Sequence, residues 1–127
     1  MSENGFFRTM QPMKATDQDP LQPQRCAEVL CALASPERLR IVRLLIDGEK
    51  NVTEITEALG IPPLNVSHHL TALKQARLIQ PRKAGRFVYY GLCEGVLSEA
   101  MGAGIPREAL NLGCCELVLP AAAQPLK

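Results

Sequence analysis

Three groups of residues have the types and the spacing to do chemistry. The first is sulfur: among the five cysteines, Cys114 and Cys115 are adjacent and follow Gly113, and Cys93 lies upstream of them. Thiolates are soft ligands for thiophilic ions, and they are also the sulfurs that oxidants attack. The second is a set of short, uncharged polar side chains, Asn65, Ser67, His68 and Thr71, within P-P-L-N-V-S-H-H-L-T-A-L-K-Q-A from Pro62 to Ala76. Donors and acceptors of this length suit hydrogen bonding to base edges in a DNA groove. The third is cationic: Arg82, Lys83 and Arg86 bracket Ala84-Gly85, where they could meet phosphate or a narrow minor groove.

Each group needs an element to hold it. At about 100° per residue, Val66, Leu70 and Leu73 share one narrow stripe, so the Pro62 to Ala76 stretch predicts a helix that packs on one side. His68 falls on the far side, and His69 flanks the packed stripe, where it serves as an anchor or touches phosphate. For this helix alone, an ordinary amphipathic helix with a polar outer face is an equal reading, and its neighbours decide.

Upstream, Cys26, Val29, Leu30 and Leu33 recur at helical steps from Gln24 to Ser35. Ser35-Pro36 is a cap followed by a proline at the first helical position. The next helix, P-E-R-L-R-I-V-R-L-L-I-D, is expected to turn Leu39, Val42, Leu45 and Ile46 inward, and Gly48 stops it. Asn51 three residues before Glu54 makes a capping box for a third short helix with Ile55, Ala58 and Leu59, closed by Gly60. Two short helices joined by a tight turn, the second with a polar face, predict a helix-turn-helix. After Ala76 the period changes. Leu78 to Lys83 and Arg86 to Leu92 are extended runs around a glycine turn, a hairpin in which Pro81 fits only where its missing N–H faces outward. The fold expected is mainly α with a small β-hairpin wing.

Composition narrows the function classes. A chain of 127 residues with ten prolines has room for one compact domain of roughly 100 residues. The division expected is a poorly ordered arm over 1–23, the helix-turn-helix and hairpin unit over 24–103, and an extension over 104–127 carrying the paired cysteines. From Pro36 to Tyr90 there are nine Lys and Arg against five Asp and Glu, so a modest positive footprint is concentrated in the middle. No apolar run approaches a membrane span. With an odd cysteine count and no leader pattern, the expectation is a cytoplasmic, reducing location with thiols that are buried, metal-binding or redox-active.

Several motifs in register resemble the ArsR/SmtB repressors, small dimeric bacterial DNA-binding proteins released by metal ions, arsenicals or oxidants. They are A-L-A-S-P-E-R-L-R-I-V-R-L-L from Ala32 to Leu45, V-S-H-H-L-T-A-L-K-Q-A-R-L-I from Val66 to Ile79, and G-R-F-V-Y-Y-G-L from Gly85 to Leu92. The resemblance covers roughly Arg25 to Met101. It implies a winged helix-turn-helix that binds a double-stranded operator as a homodimer, with the first helix paired across the two-fold with a last helix from Cys93 to Met101. Arg77 stands where the family has a glycine, and Pro62 where it has a capping Ser or Thr. Neither a Cys-x-Cys in the third helix nor the Asp/His and His/Glu pairs of zinc-sensing members is present.

The resemblance adds that arsenic-sensing members use two or three clustered thiolates. Cys114 and Cys115, with Cys93 as third ligand, therefore stand as the site for As(III) or another thiophilic species. The opposing reading is a packed strand from Cys114 to Leu119, which would point the two sulfurs apart. Cys26 and Cys31, five apart on a helix, diverge and are read as core or interface residues. Two further functions stay open: a winged helix used for protein docking, and a thiol enzyme. The second lacks a Cys-x-x-Cys or a base beside a cysteine.

Overall fold

A computed structural model describes residues 19–102 and 105–120, and of 99–107 only the backbone. Most of the expected N-terminal arm, up to residue 18, lies outside the described residues. Asp19 opens the described chain with a turn in which its carboxylate accepts from Leu21 N–H at 2.9 Å. Four helices follow: α1 (Pro23–Leu33), α2 (Pro36–Ile46), α3 (Val52–Leu59) and α4 (Pro63–Gln75), with the two-residue strand β1 (Lys50–Asn51) just before α3.

The local signals act as their chemistry requires. Ser35 Oγ accepts from Arg38 N–H at 3.3 Å to start α2. Asn51 and Glu54 form the reciprocal capping box, with Asn51 Oδ1 accepting from Glu54 N–H at 2.8 Å and Glu54 Oε1 from Asn51 N–H at 2.9 Å. Within α2 the inward face differs from the expected one. Ile41, Val42 and Leu45 are buried, whereas Leu39 is 37% exposed. The stripe is centred on Ile41, and its N-terminal end is held by Arg38, whose guanidinium donates to Ala32 O and His69 Nδ1, each at 3.2 Å.

The end of α4 explains how the chain manages without a glycine. Arg77 takes the left-handed conformation at φ 64°; its N–H donates to Lys74 O at 2.9 Å, and Leu78 N–H donates to Leu73 O at 3.1 Å. This is the Schellman pattern of bonds. A branched or long side chain in that conformation costs about 1–2 kcal/mol, part of which glycine would return as chain entropy. Arg77→Gly should therefore raise stability by about 1 kcal/mol in a denaturant melt; a lower midpoint would show that the Arg77 side chain stabilises the fold in its own right.

Strands β2 (Ile79–Ala84) and β3 (Phe87–Leu92) form the hairpin, with Ala84 opposite Phe87 and Gly85 at φ 64° in the turn. The sheet order is β1-β3-β2. Pro81 thus lies on an edge strand, where no neighbour needs its N–H.

The expected last helix from Cys93 to Met101 is not formed. Cys93 O instead accepts from Val96 N–H at 3.0 Å, with Gly95 at φ 87°, and a second sheet follows: β4 (Leu97–Gly102), β5 (Ile105–Asn111) and β6 (Glu116–Val118), in the order β4-β5-β6. The residues from Arg107 to Asn111, beyond the expected helix, lie in strand β5. Two runs flanking Gly102-Ala103-Gly104 pair with Gly102 opposite Ile105. Pro106 is tolerated within β5 because β6 reaches only from Ala109 to Asn111 along it. Val96, Leu110 and Leu112 join Val29, Leu33, Ile41, Ile55, Val66, Leu70, Leu73 and Ile79 in one core. Among the described residues no helix is long and apolar enough to cross a membrane.

Candidate nucleic-acid interface and thiol cluster

Helix α4 is attached through Val66, Leu70 and Leu73, each at most 2% exposed. That fixes its opposite side: Asn65, Ser67, His68 and Thr71 are all exposed. His69 is half-buried, and its Nδ1 accepts from Arg38, so it anchors the helix rather than facing outward. Thr71 Oγ1 donates to Ser67 O at 3.0 Å, which commits its hydroxyl proton and leaves its oxygen as an acceptor. The outward face from Asn65 to Thr71 therefore carries amide, hydroxyl and imidazole groups, and one cation, the exposed Lys74, follows beside it in the last turn. Leu64, 68% exposed, sits at its N-terminal end.

The hairpin tip separates its three cations. Arg82 is tied down: Nη2 lies 2.7 Å and Nε 2.9 Å from Glu49 Oε1, and the guanidinium carbon is 5.6 Å from the Tyr89 ring centroid. The hydrogen bond from Arg82 lowers the Glu49 carboxyl below the usual carboxylate range, and Glu49 in turn raises Arg82. Glu49 reaches this position across Gly91, where an added Cβ would meet Glu49 Cγ at 2.9 Å. Sequence alone gives no sign of this pairing, because the partners are 33 residues apart. Lys83 and Arg86 are exposed, with the Arg86 guanidinium 5.9 Å from the Phe87 ring centroid. Neither makes an ion pair among the described residues.

The sulfurs converge at the other end of the chain. Strand β6 begins only at Glu116, and Cys114 and Cys115 occupy the preceding turn. That turn is built by Gly113 at φ 89°, by Asn111 Oδ1 accepting from Gly113 N–H at 2.9 Å, and by Leu112 N–H donating to Cys115 O at 2.9 Å. It leaves the Cys114 and Cys115 sulfurs 3.8 Å apart. Cys26 of α1, buried in the apolar stripe, is joined to Cys114 by a disulfide with the Cα atoms 6.0 Å apart. All three sulfurs lie within 4.8 Å of one another. Cys93 is not in this group; it is half-buried near the end of β3, and burial raises its thiol pKa. Cys31 is exposed on α1. Cys26 escaped the sequence reading because 88 residues separate it from its partner and its helical spacing fits a core residue equally well.

Comparisons with known proteins agree with this geometry. The family model described as "Bacterial regulatory protein, arsR family" matches residues 35–80. The chain is 37% identical over 73 residues to the transcriptional repressor SdpR of Bacillus subtilis, covering 58% of this chain and 81% of that protein. It is 35% identical over 118 residues to the HTH-type transcriptional regulator KmtR of Mycobacterium tuberculosis, covering 83% of this chain and 91% of that one. Among solved structures it is similar to the homodimeric winged helix-turn-helix DNA-binding domain Mb0332 of Mycobacterium bovis. That match has a TM-score of 0.56 and 34% identity, over 65% of this chain and 72% of the other. The helix-turn-helix, its wing and these relatives together place the chain in the arsR family of bacterial DNA-binding regulatory proteins.

Proposed function

We propose that the protein is a homodimeric, operator-binding transcriptional repressor released from DNA by a thiophilic effector, either a soft ion such as arsenite or an oxidant, acting at Cys114 and Cys115. The observation that carries the DNA reading is the outward face of α4, where Asn65, Ser67, His68 and Thr71 together offer exposed hydrogen-bonding groups to base edges. In this reading Asn65, Ser67, His68 and Thr71 specify sequence, and Lys83 and Arg86 position the protein on the phosphates. Arg82, bonded to Glu49, shapes the wing. Leu30, 45% exposed on α1, supplies apolar surface that a second copy covers. The paired recognition helices then stand about one DNA turn, roughly 34 Å, apart.

The two kinds of contact separate in an experiment. His68→Ala or Asn65→Ala should cost about 1–3 kcal/mol of discrimination between operator and random duplex. Lys83→Ala or Arg86→Ala should weaken both duplexes alike and flatten the salt slope by about one unit. Equal loss of discrimination from both pairs would mean that the wing reads bases too.

The effector is tested by the Cys114→Ser, Cys115→Ser double variant on an operator obtained by selection from random duplexes. The parent protein should lose about ten- to hundredfold in operator affinity on adding arsenite or peroxide, equivalent to 1–3 kcal/mol of coupling. The double variant should bind the operator and stay bound. Release of the double variant to the same extent as the parent would remove these cysteines from the mechanism.

A further inference from the structure

We infer that Cys26, Cys114 and Cys115 form one three-sulfur site, complete within a single chain, for a three-coordinate soft ion of the arsenite class, and that the Cys26–Cys114 disulfide is the oxidised state of that same site. The inference deepens the reading of Cys114 and Cys115 as the effector position and rests on it. It assigns the third ligand to α1 in place of Cys93.

Three observations lead there. Sulfurs bound to a common ion at about 2.3 Å stand roughly 3.5–4 Å from one another. Cys114 and Cys115 already stand 3.8 Å apart, and Cys26 is within 4.8 Å of both. A small rotation about side-chain bonds closes the set once the disulfide is reduced. Next, the donors are sulfur alone: no His, Asp or Glu among the described residues completes a fourth position in this group. Three thiolates without a fourth ligand suit a pyramidal ion better than zinc, which takes four. Finally, the ligands come from two elements. Cys26 is 6% exposed within α1, and the turn carrying the other two is fixed by Gly113 and Asn111. Half of the site is therefore enclosed, with Cys115 exposed at its mouth.

The chemistry balances in both directions. With arsenite, three As–O bonds break and three As–S bonds form; each thiol proton leaves with a hydroxide as water, and no atom changes oxidation state. With a peroxide, the Cys114 thiolate attacks the O–O bond to give a sulfenic acid and one water. The Cys26 thiolate then attacks that sulfur and expels hydroxide, which is protonated to a second water. Two thiols are oxidised and one peroxide is reduced. The oxidised site keeps only the Cys115 thiol, too few ligands to hold the ion. Oxidant and ion therefore exclude each other.

The test uses the full chain, reduced with a phosphine or treated with hydrogen peroxide, and titrated with arsenite while As–S absorption and bound arsenic are measured. The reduced protein should take one arsenite per chain, Cys26→Ser should bind at least a hundredfold more weakly, and Cys93→Ser should bind as the parent does. Peroxide-treated protein should take none and yield a Cys26–Cys114 peptide. Because Cys26→Ser disturbs a buried position, arsenite protection against alkylation is mapped in the unaltered protein as well, and it should cover Cys26, Cys114 and Cys115. Undiminished binding by Cys26→Ser, protection of Cys93 in place of Cys26, or arsenite uptake by the oxidised protein would overturn the inference. Operator affinity is measured separately. Three-sulfur binding without DNA release sinks the repressor-effector reading and leaves the site intact, whereas release that ignores Cys26 does the reverse.

Discussion

Reducing the Cys26–Cys114 bond should lower the free energy of unfolding by about 4 kcal/mol, the largest effect of any single bond in the described chain. The bond closes a loop with a sequence separation of 88, and on the chain-entropy account a loop of roughly that length restricts the unfolded ensemble by about 4–5 kcal/mol. Domains of this size are stable by about 5–15 kcal/mol in all, so the reduced protein is left with a thin margin. Urea titrations with and without a phosphine reductant would measure the difference. Coincident midpoints would mean that the unfolded chain is already constrained, or that the bond does not form in solution. Arsenite bound across the three sulfurs closes the same loop and should restore much of the lost midpoint.

Leu73→Ala should cost about 2–5 kcal/mol, the usual range for removing a fully buried leucine and leaving a cavity. Leu73 is 0% exposed, in the last turns of α4 and in the common core with Ile41, Ile55 and Ile79. On the same helix Leu64 is 68% exposed, so Leu64→Ala should stay within about 0.5 kcal/mol of the parent. Equal destabilisation by the two changes would show that α4 is rotated from the orientation described, and the polar face would then have to be reassigned. Operator affinity of the Leu73 variant should fall along with stability, since the same contact aims the recognition face.

The helix-turn-helix was legible because its signals are local. Ser35-Pro36, the Asn51/Glu54 box, Gly60 and the Val66, Leu70, Leu73 stripe each act within a few residues, and each is found in place. The inward face of α2 was misjudged because Leu39 and Ile41 are equally apolar; what decides between them is Arg38, whose partners Ala32 and His69 lie in other helices. The second sheet was missed for a different reason. G-V-L-S-E-A-M has no strict alternation, and the turn at Gly95 that prevents a helix from starting is visible only in its φ and in the bond from Val96 to Cys93. Sulfur geometry is the extreme case: adjacency suggested Cys114 and Cys115, but no pattern of spacing couples a residue of α1 to the turn that precedes β6.

The two residues of β1 pair Lys50 with Tyr90 and Asn51 with Tyr89, and Asn51 is also the cap of α3. One asparagine thus belongs at once to the wing's sheet and to the helix that braces the recognition helix. On the proposed DNA reading, each copy of the protein consequently behaves as a ruler with fixed graduations: the step from the bases assigned to α4 to the phosphates assigned to the hairpin cannot be stretched without breaking either the pairing or the cap. An operator half-site must present both at one phase. Whatever tolerance the proposed dimer has for different operators then lies in the joint between its two rulers, and on the same reading the proposed effector acts on that joint rather than on the markings.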